Sequence, residues 1–192
     1  VSKKIAKLRI AECSGLAFIA HGATGQKRKY TNEPYYNHCK NVFEILKINL
    51  ETDDKNSESI MLCSCYLHDV LEDTHLTSSD LICVGVPRPV VKVVIELTDI
   101  SKPEDGNREA RKKIDRERYA SASYEAKTVK CADLIDNTSS IVKYDKDFAK
   151  IYLREKELLL PYLLGADQNL HNMAAATLEK AKRELGINYD LS

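Results

Sequence analysis

The 192-residue sequence has no excess of charge: 29 Lys and Arg balance 29 Asp and Glu. A broadly basic field for gripping nucleic acid is absent, so nucleic acid is not an expected partner. No apolar run approaches the roughly 18 residues that read as a membrane span, and no membrane partner is expected. The opening VSKKIAKLRI lacks the apolar stretch and small-residue cleavage site of a secretory signal. Gly and Pro are scarce, at 7 and 5, and β-branched runs are short, which argues against strand-rich architectures. Repeats and low-complexity tracts are missing. The six cysteines, Cys13, Cys39, Cys63, Cys65, Cys83 and Cys131, include no CxxC pair. Together with the missing export signal, this predicts reduced thiols in or near the core of a cytoplasmic protein. Zinc on Cys63 and Cys65 is the alternative, against which their spacing speaks.

What is present is an ordinary globular balance, 43% apolar and 30% charged, in one predicted domain over residues 1–192. Apolar residues at Ile5, Leu8, Ala11, Leu16 and Ile19 predict a first helix to Ala20. A polar loop, His21–Glu33, carries Gly22, Gly25, Lys27, Arg28 and Lys29, and Pro34 suits the start of a second helix over Tyr35–Ile48. A third, capped by Ser57 or Ser59, runs through MLCSCYLHDVLED. Further helices are predicted near Ser79–Cys83, Pro89–Leu97, Arg108–Tyr119, Tyr124–Lys143, Phe148–Leu164 and Gln168–Leu185, with Gly186 as a stop. Val90–Ile95 reads equally as a strand or a buried helix. The expected fold is all-α, with eight to ten helices.

The most informative segment is Leu67-His68-Asp69-Val70-Leu71-Glu72-Asp73-Thr74. On a continuous helix Glu72 would lie over His68 and Asp73 over Asp69. One helix end would then hold an imidazole and three carboxylates, a costly arrangement that a bound cation relieves. Two other segments supply candidate partners. Tyr35-Tyr36-Asn37-His38 places an imidazole early in helix two. Lys130, Asp133 and Asn137 form one polar stripe on an otherwise small and apolar helix. The loop GATGQKRK lacks the GxxxxGK[ST] pattern and is not a P-loop.

HDxxED with an upstream YxxH and a downstream KxADxxxN resembles the HD phosphohydrolase superfamily. Within it, the ordered set GQKRK, PYYNH, LHDVLEDT, ELTD and KCADLIDN most resembles the RelA/SpoT-type hydrolase domain and the stand-alone small alarmone hydrolases. The resemblance spans roughly residues 5 to 160 and implies an HD-type helical domain. It implies removal of the 3′-pyrophosphate from guanosine tetra- and pentaphosphate, leaving GDP or GTP. It also implies that His38, His68, Asp69 and Asp133 ligate one metal ion and that Glu72 and Asp73 are catalytic carboxylates. Asn137 is implied as a substrate contact, and Arg28 with Lys29 as cations around the nucleotide. Tyr152 falls near an aromatic of the family's substrate pocket. Lys130 and Arg108 are further candidate contacts to phosphate, Arg108 or Lys112 reaching the distal phosphates from a charged loop. Two departures from the family pattern, Cys39 for Pro and Cys131 for Leu, remove no ligand. Asp99–Arg118 is richer in charge than is typical.

Two imidazoles and two carboxylates without a thiolate suit Mn²⁺, which the resemblance also favours, with Fe²⁺, Co²⁺ or Zn²⁺ as replacements. Plain structural readings stand beside these roles: a helix-end pair for His68 and Asp69, a solvated terminus for Glu72 and Asp73, a salt bridge to Lys130 for Asp133, a core histidine for His38, a structural amide for Asn137 and an exposed loop for Arg28 and Lys29. The charge run Lys102–Arg118 reads as a solvated helix with i,i+4 pairs. His21 reads as a structural hydrogen-bonding group, His75 as solvated and His171 as surface. Rival functions are hydrolysis of another phosphorylated nucleotide (an adenine alarmone, a nucleoside monophosphate or NADPH) and non-catalytic nucleotide binding. Retention of both Glu72 and Asp73 argues against the latter. No nucleotidyl-transfer region follows the HD segments before Ser192, so synthetase activity in the same polypeptide is not expected.

Overall fold

The computed structural model describes residues 2–187, with side chains described from residue 10 onward; Ile5 and Leu8 of the predicted apolar stripe lie outside the described side chains. Among the described residues there are ten α-helices and no strand. The helices are α1 (Ser2–Ala23), α2 (Tyr36–Asn49), α3 (Lys55–Leu67), α4 (Val70–Asp73), α5 (Ser78–Cys83), α6 (Arg88–Leu97), α7 (Arg108–Arg118), α8 (Tyr124–Tyr144), α9 (Lys146–Leu159) and α10 (Gln168–Glu184). Val90–Ile95 lies within α6, whose Val90, Val91, Val93, Val94 and Leu97 are buried, so the strand alternative fails. Pro89 sits in the first turn of α6, where its missing N–H costs nothing.

Two helices organise the core. α3 packs on α1, α2, α6 and α8, while α8 packs on α2, α3, α6, α9 and α10. Buried Met61, Leu62, Cys65 and Leu67 of α3 and Val129, Ala132 and Leu134 of α8 belong to one continuous apolar cluster. Small residues let α8 run close to its neighbours, which brings Asp133 into the interior. Five of the six cysteines are buried, and Cys83 is exposed. Burial pushes the Cys131 thiol up to about 12, so it behaves as a small apolar residue.

Three details differ from the sequence reading. Asp54, not Ser57 or Ser59, caps α3 by accepting from the N–H groups of Asn56 and Ser57. The predicted long third helix breaks at His68–Asp69 into α3 and α4. His68 Nδ1 lies 2.9 Å from the Cys65 carbonyl and competes for an acceptor the helical ladder would use. His171 is half-buried rather than surface, its Nε2 lying 3.2 Å from the Leu160 carbonyl. The predicted C-terminal stop is present: Gly186 has φ +63, and the Gly186 and Ile187 N–H groups close back onto the Arg183 and Lys182 carbonyls.

Candidate metal centre and active site

Three elements meet at one point in the core. His38 comes from the first turn of α2, His68 and Asp69 from the break between α3 and α4, and Asp133 from the middle of α8. His38 Nε2 lies 3.2 Å from His68 Nε2, 3.2 Å from Asp133 Oδ1 and 3.6 Å from Asp69 Oδ2. His68 Nε2 lies 3.0 Å from Asp69 Oδ2 and 3.7 Å from Asp133 Oδ1. Donors bound at about 2.1 Å to one ion stand about 3 Å apart at right angles, so this spacing fits a shared divalent cation. His38, His68 and Asp69 form a ready cluster of potential ligands, and no cysteine joins it.

The burial is severe: His38 is 0%, His68 2% and Asp133 5% exposed. Burial alone would lower both imidazoles. The Asp133 and Asp136 carboxylates hold His38 above its ordinary value, and Asp69 and Asp133 hold His68 well above it. Desolvation would raise both aspartates, yet Lys130 and the imidazoles hold Asp133 well below the carboxylate range, and the imidazoles hold Asp69 low. The carboxylates thus favour the charged form of both imidazoles, and the imidazoles favour the charged form of both carboxylates.

A layer of supporting groups fixes these side chains. Asp136 Oδ2 lies 2.6 Å from His38 Nδ1, and the Tyr35 hydroxyl donates to Asp69 Oδ2 at 2.6 Å. Sequence reasoning assigned neither residue a role, although each lies three positions from a predicted ligand in a helical segment, which was an available signal. Lys130 Nζ lies 2.8 Å from Asp133 Oδ2, and Asn137 donates to Asp133 Oδ1 at 2.6 Å. The predicted polar stripe on α8 is therefore a connected unit. His21 is buried, with its Nδ1 2.6 Å from Gln26 Oε1, as a structural histidine should be; His75 is exposed.

The helix break separates the two remaining acids. Glu72 accepts from the Asp99 N–H at 2.6 Å, while Asp73 accepts from Gln26 Nε2 at 2.8 Å. The expected single patch is thus split towards two walls, because the turn at Asp69 interrupts the face on which His68 and Glu72 would have stacked. Desolvation, reinforced by the negative Asp69 and Asp99, pushes Glu72 up to about 7 against the opposing pull of Lys130. Asp73 is also raised by desolvation, with its Gln26 hydrogen bond opposing.

Arg28 donates to Asn137 Oδ1 at 2.9 Å and to Asp136 Oδ2 at 3.1 Å, which ties the cationic loop to α8. The loop itself closes by Gly25 at φ +66 and by Lys27 bridging Pro34. Lys29 and Arg108 stand farther out. Lys29 is exposed beside Asp145, and Arg108 makes a bidentate pair with Glu155 at 2.6 and 2.9 Å. Both cations also lie over the Phe148 ring, at 5.5 and 5.2 Å from its centroid. Tyr152 is buried one turn further along α9, tilted against Phe148. The geometry thus joins His38, His68, Asp69, Asp133, Lys130, Asn137 and Arg28 by direct contacts. Lys29, Arg108 and Tyr152 gather on Phe148 instead. Buried Asp115 accepts from the Ile100 and Ser101 N–H groups, so the charge run is more than a solvated face.

No family model matches the chain. Over 130 residues it is 35% identical to the Drosophila melanogaster guanosine-3′,5′-bis(diphosphate) 3′-pyrophosphohydrolase MESH1, covering 67% of each chain. It is 25% identical over 150 residues to a probable guanosine-3′,5′-bis(diphosphate) 3′-pyrophosphohydrolase of Mycoplasma pneumoniae, covering 73% of this chain but 20% of that longer protein. The solved structure of a metazoan ortholog of SpoT that hydrolyzes ppGpp superimposes with a TM-score of 0.73 at 27% identity, covering 94% and 97% of the two chains. A Listeria monocytogenes structure matches with a TM-score of 0.57 at 21% identity, over 79% of this chain and 99% of that one, which speaks for the fold alone. With the YxxH, HDxxED and KxADxxxN residues converging on one centre inside this shared helical frame, the chain belongs to the HD-domain family of stand-alone alarmone hydrolases.

Proposed function

We propose that this chain is a metal-dependent 3′-pyrophosphohydrolase of guanosine tetra- and pentaphosphate, working with Mn²⁺ in the cytoplasm as one domain over residues 1–192. The observation that carries the reading is the convergence of four donor atoms from α2, the α3–α4 break and α8, with Glu72 following on α4. His38, His68, Asp69 and Asp133 would hold the ion. Their mixed nitrogen and oxygen set suits Mn²⁺, and Fe²⁺, Co²⁺ or Zn²⁺ could replace it. A divalent cation, when bound, neutralises phosphate charge and acidifies water.

The protein's own groups account for the rest. One Glu72 oxygen is fixed by the Asp99 N–H, and the carboxylate is placed to take the proton of an attacking water. The water oxygen would bond to the phosphorus attached to the ribose 3′-oxygen as that P–O bond breaks; the 3′-oxygen would take up a proton, giving GDP or GTP, and the phosphorus would depart in pyrophosphate. Asp73, steadied by Gln26, assists proton handling from the opposite wall. Lys130 and Arg28 would offset phosphate charge, and Asn137 would orient the nucleotide; Lys29, Arg108 and Tyr152, gathered at Phe148, would contribute farther out. No helix among the described residues is long and apolar enough to cross a membrane.

The test is a nucleotide panel with Mn²⁺ and product identification by mass. Pyrophosphate and GDP from ppGpp, abolished by chelation, is the expected result. Orthophosphate alone, released from monoesters, would transfer the reading to another HD hydrolase.

A further inference from the structure

A cavity lies beside the cluster of predicted metal ligands, on the far side of Lys130. It encloses about 100 Å³ and is lined among others by Glu72, Asp99, Lys112, Arg116, Lys130 and Lys156. That is far below the roughly 300–1,000 Å³ of clefts that take drug-sized ligands, so no nucleoside enters it. It is suited to a small polar group. Two of its residues tie it to the centre. Glu72 is the proton acceptor of the proposed reaction, and Lys130 is paired to Asp133 at 2.8 Å.

The cations on this cavity are unequally partnered. Lys112 is engaged by Asp99 and Asp115, and Lys130 by Asp133. Glu155, also on the wall, is held by Arg108. Lys156 has no carboxylate at ion-pair distance among the described residues; its recorded contact is with the Tyr152 ring, 5.2 Å from Nζ to the centroid. Lys156 lies one helical turn beyond Tyr152 on α9, so both serve the same face. An ammonium crowded by Lys130 and Lys112, with Asp133 and Asp99 attracting it only from beyond ion-pair distance, gains a direct counter-ion when an anion arrives. Burial and those two cations bring Lys156 down to about 8, which leaves it largely protonated at neutral pH.

We infer that this cavity is a phosphate subsite in which Lys156, beside Lys130 and Lys112, binds the outer phosphate of the substrate's 3′-diphosphate. The assignment rests on the pyrophosphohydrolase reading for the identity of the phosphate. Lys156 lies outside the YxxH, HDxxED and KxADxxxN motifs.

The test uses the full chain, metal-stripped, titrated calorimetrically with inorganic pyrophosphate and separately with GDP. Lys156→Gln should weaken pyrophosphate binding about tenfold or more, the scale of one charge-assisted hydrogen bond, and leave GDP affinity within about twofold. Lys156→Arg should retain pyrophosphate affinity. In the Mn²⁺-loaded enzyme the Gln variant should raise the KM for ppGpp by a similar factor. Equal pyrophosphate affinity in wild type and Lys156→Gln overturns the subsite, as does an equal loss for both probes. Absence of ppGpp turnover by the wild type overturns the hydrolase reading instead, and the pyrophosphate titration still decides the role of Lys156.

Discussion

Replacing Asp136 with Asn probes how far the metal centre depends on the group behind it. Asp136 Oδ2 sits 2.6 Å from His38 Nδ1, and Oδ1 accepts from Asn41 Nδ2 at 3.0 Å. A carboxylate that accepts from Nδ1–H leaves the Nε2 lone pair facing the other three donors. The His38 and Asp136 side chains are 0% and 14% exposed, so water screens the pair little. A hydrogen bond to a charged group contributes about 1.5–3 kcal/mol, and an amide keeps part of it. At about 1.4 kcal/mol per tenfold, divalent metal affinity should fall about 10- to 100-fold. Competition against a chelating dye measures this, with thermal melting as the check on folding. Arg28→Met is the control. It removes the 3.1 Å contact to the same Asp136 oxygen and should raise the KM for nucleotide while leaving metal affinity within about twofold. Unchanged metal affinity in Asp136→Asn, or an equal drop in Arg28→Met, would refute the reasoning.

Asp133→Ala should abolish stoichiometric metal uptake. It also strands Lys130 in the interior, so denaturant melts should show a loss of about 3–5 kcal/mol; retained metal by elemental analysis would break the ligand set. Glu72→Gln should keep the metal yet lower kcat about 10²- to 10⁴-fold, and normal turnover would remove its proton-transfer role. The same variant has a pH signature in metal-free protein. The folded-state value of Glu72 is raised from 4.5 to about 7, so native protein loses stability relative to the unfolded chain as pH climbs through that window. Glu72 is open to cleft water, so the full effect of about 3 kcal/mol is screened to about 1 kcal/mol. Glu72→Gln should therefore gain about that much on wild type between pH 5 and pH 8; melts that run parallel with pH would contradict it.

The helices were readable because apolar periodicity and scarce Gly and Pro leave few alternatives, and the meeting of His38, His68, Asp69 and Asp133 was readable because the motif spacings are specific. What periodicity could not reveal was the break after Leu67. Local propensity favours continuing through VLED, and only the tertiary demand on His68 and Asp69 interrupts it. For the same reason the divergence of Glu72 and Asp73 was invisible. Gln26 and Asp99 hold those acids from loops far away in sequence, at 47 and 27 residues. Lys156 gave no signal either, because an isolated lysine on a charged helix looks like solvated surface until a cavity is found in front of it.

The contact from His68 Nδ1 to the Cys65 carbonyl has a consequence beyond ending a helix. The ring nitrogen is tied to the main chain, so the imidazole's tautomer is dictated by backbone geometry that no single side-chain exchange elsewhere can rewrite. Docking α3 in the core and orienting its terminal histidine are consequently one folding event, and a partly unwound α3 would forfeit the meeting of His68 with His38 and Asp133 along with the packing.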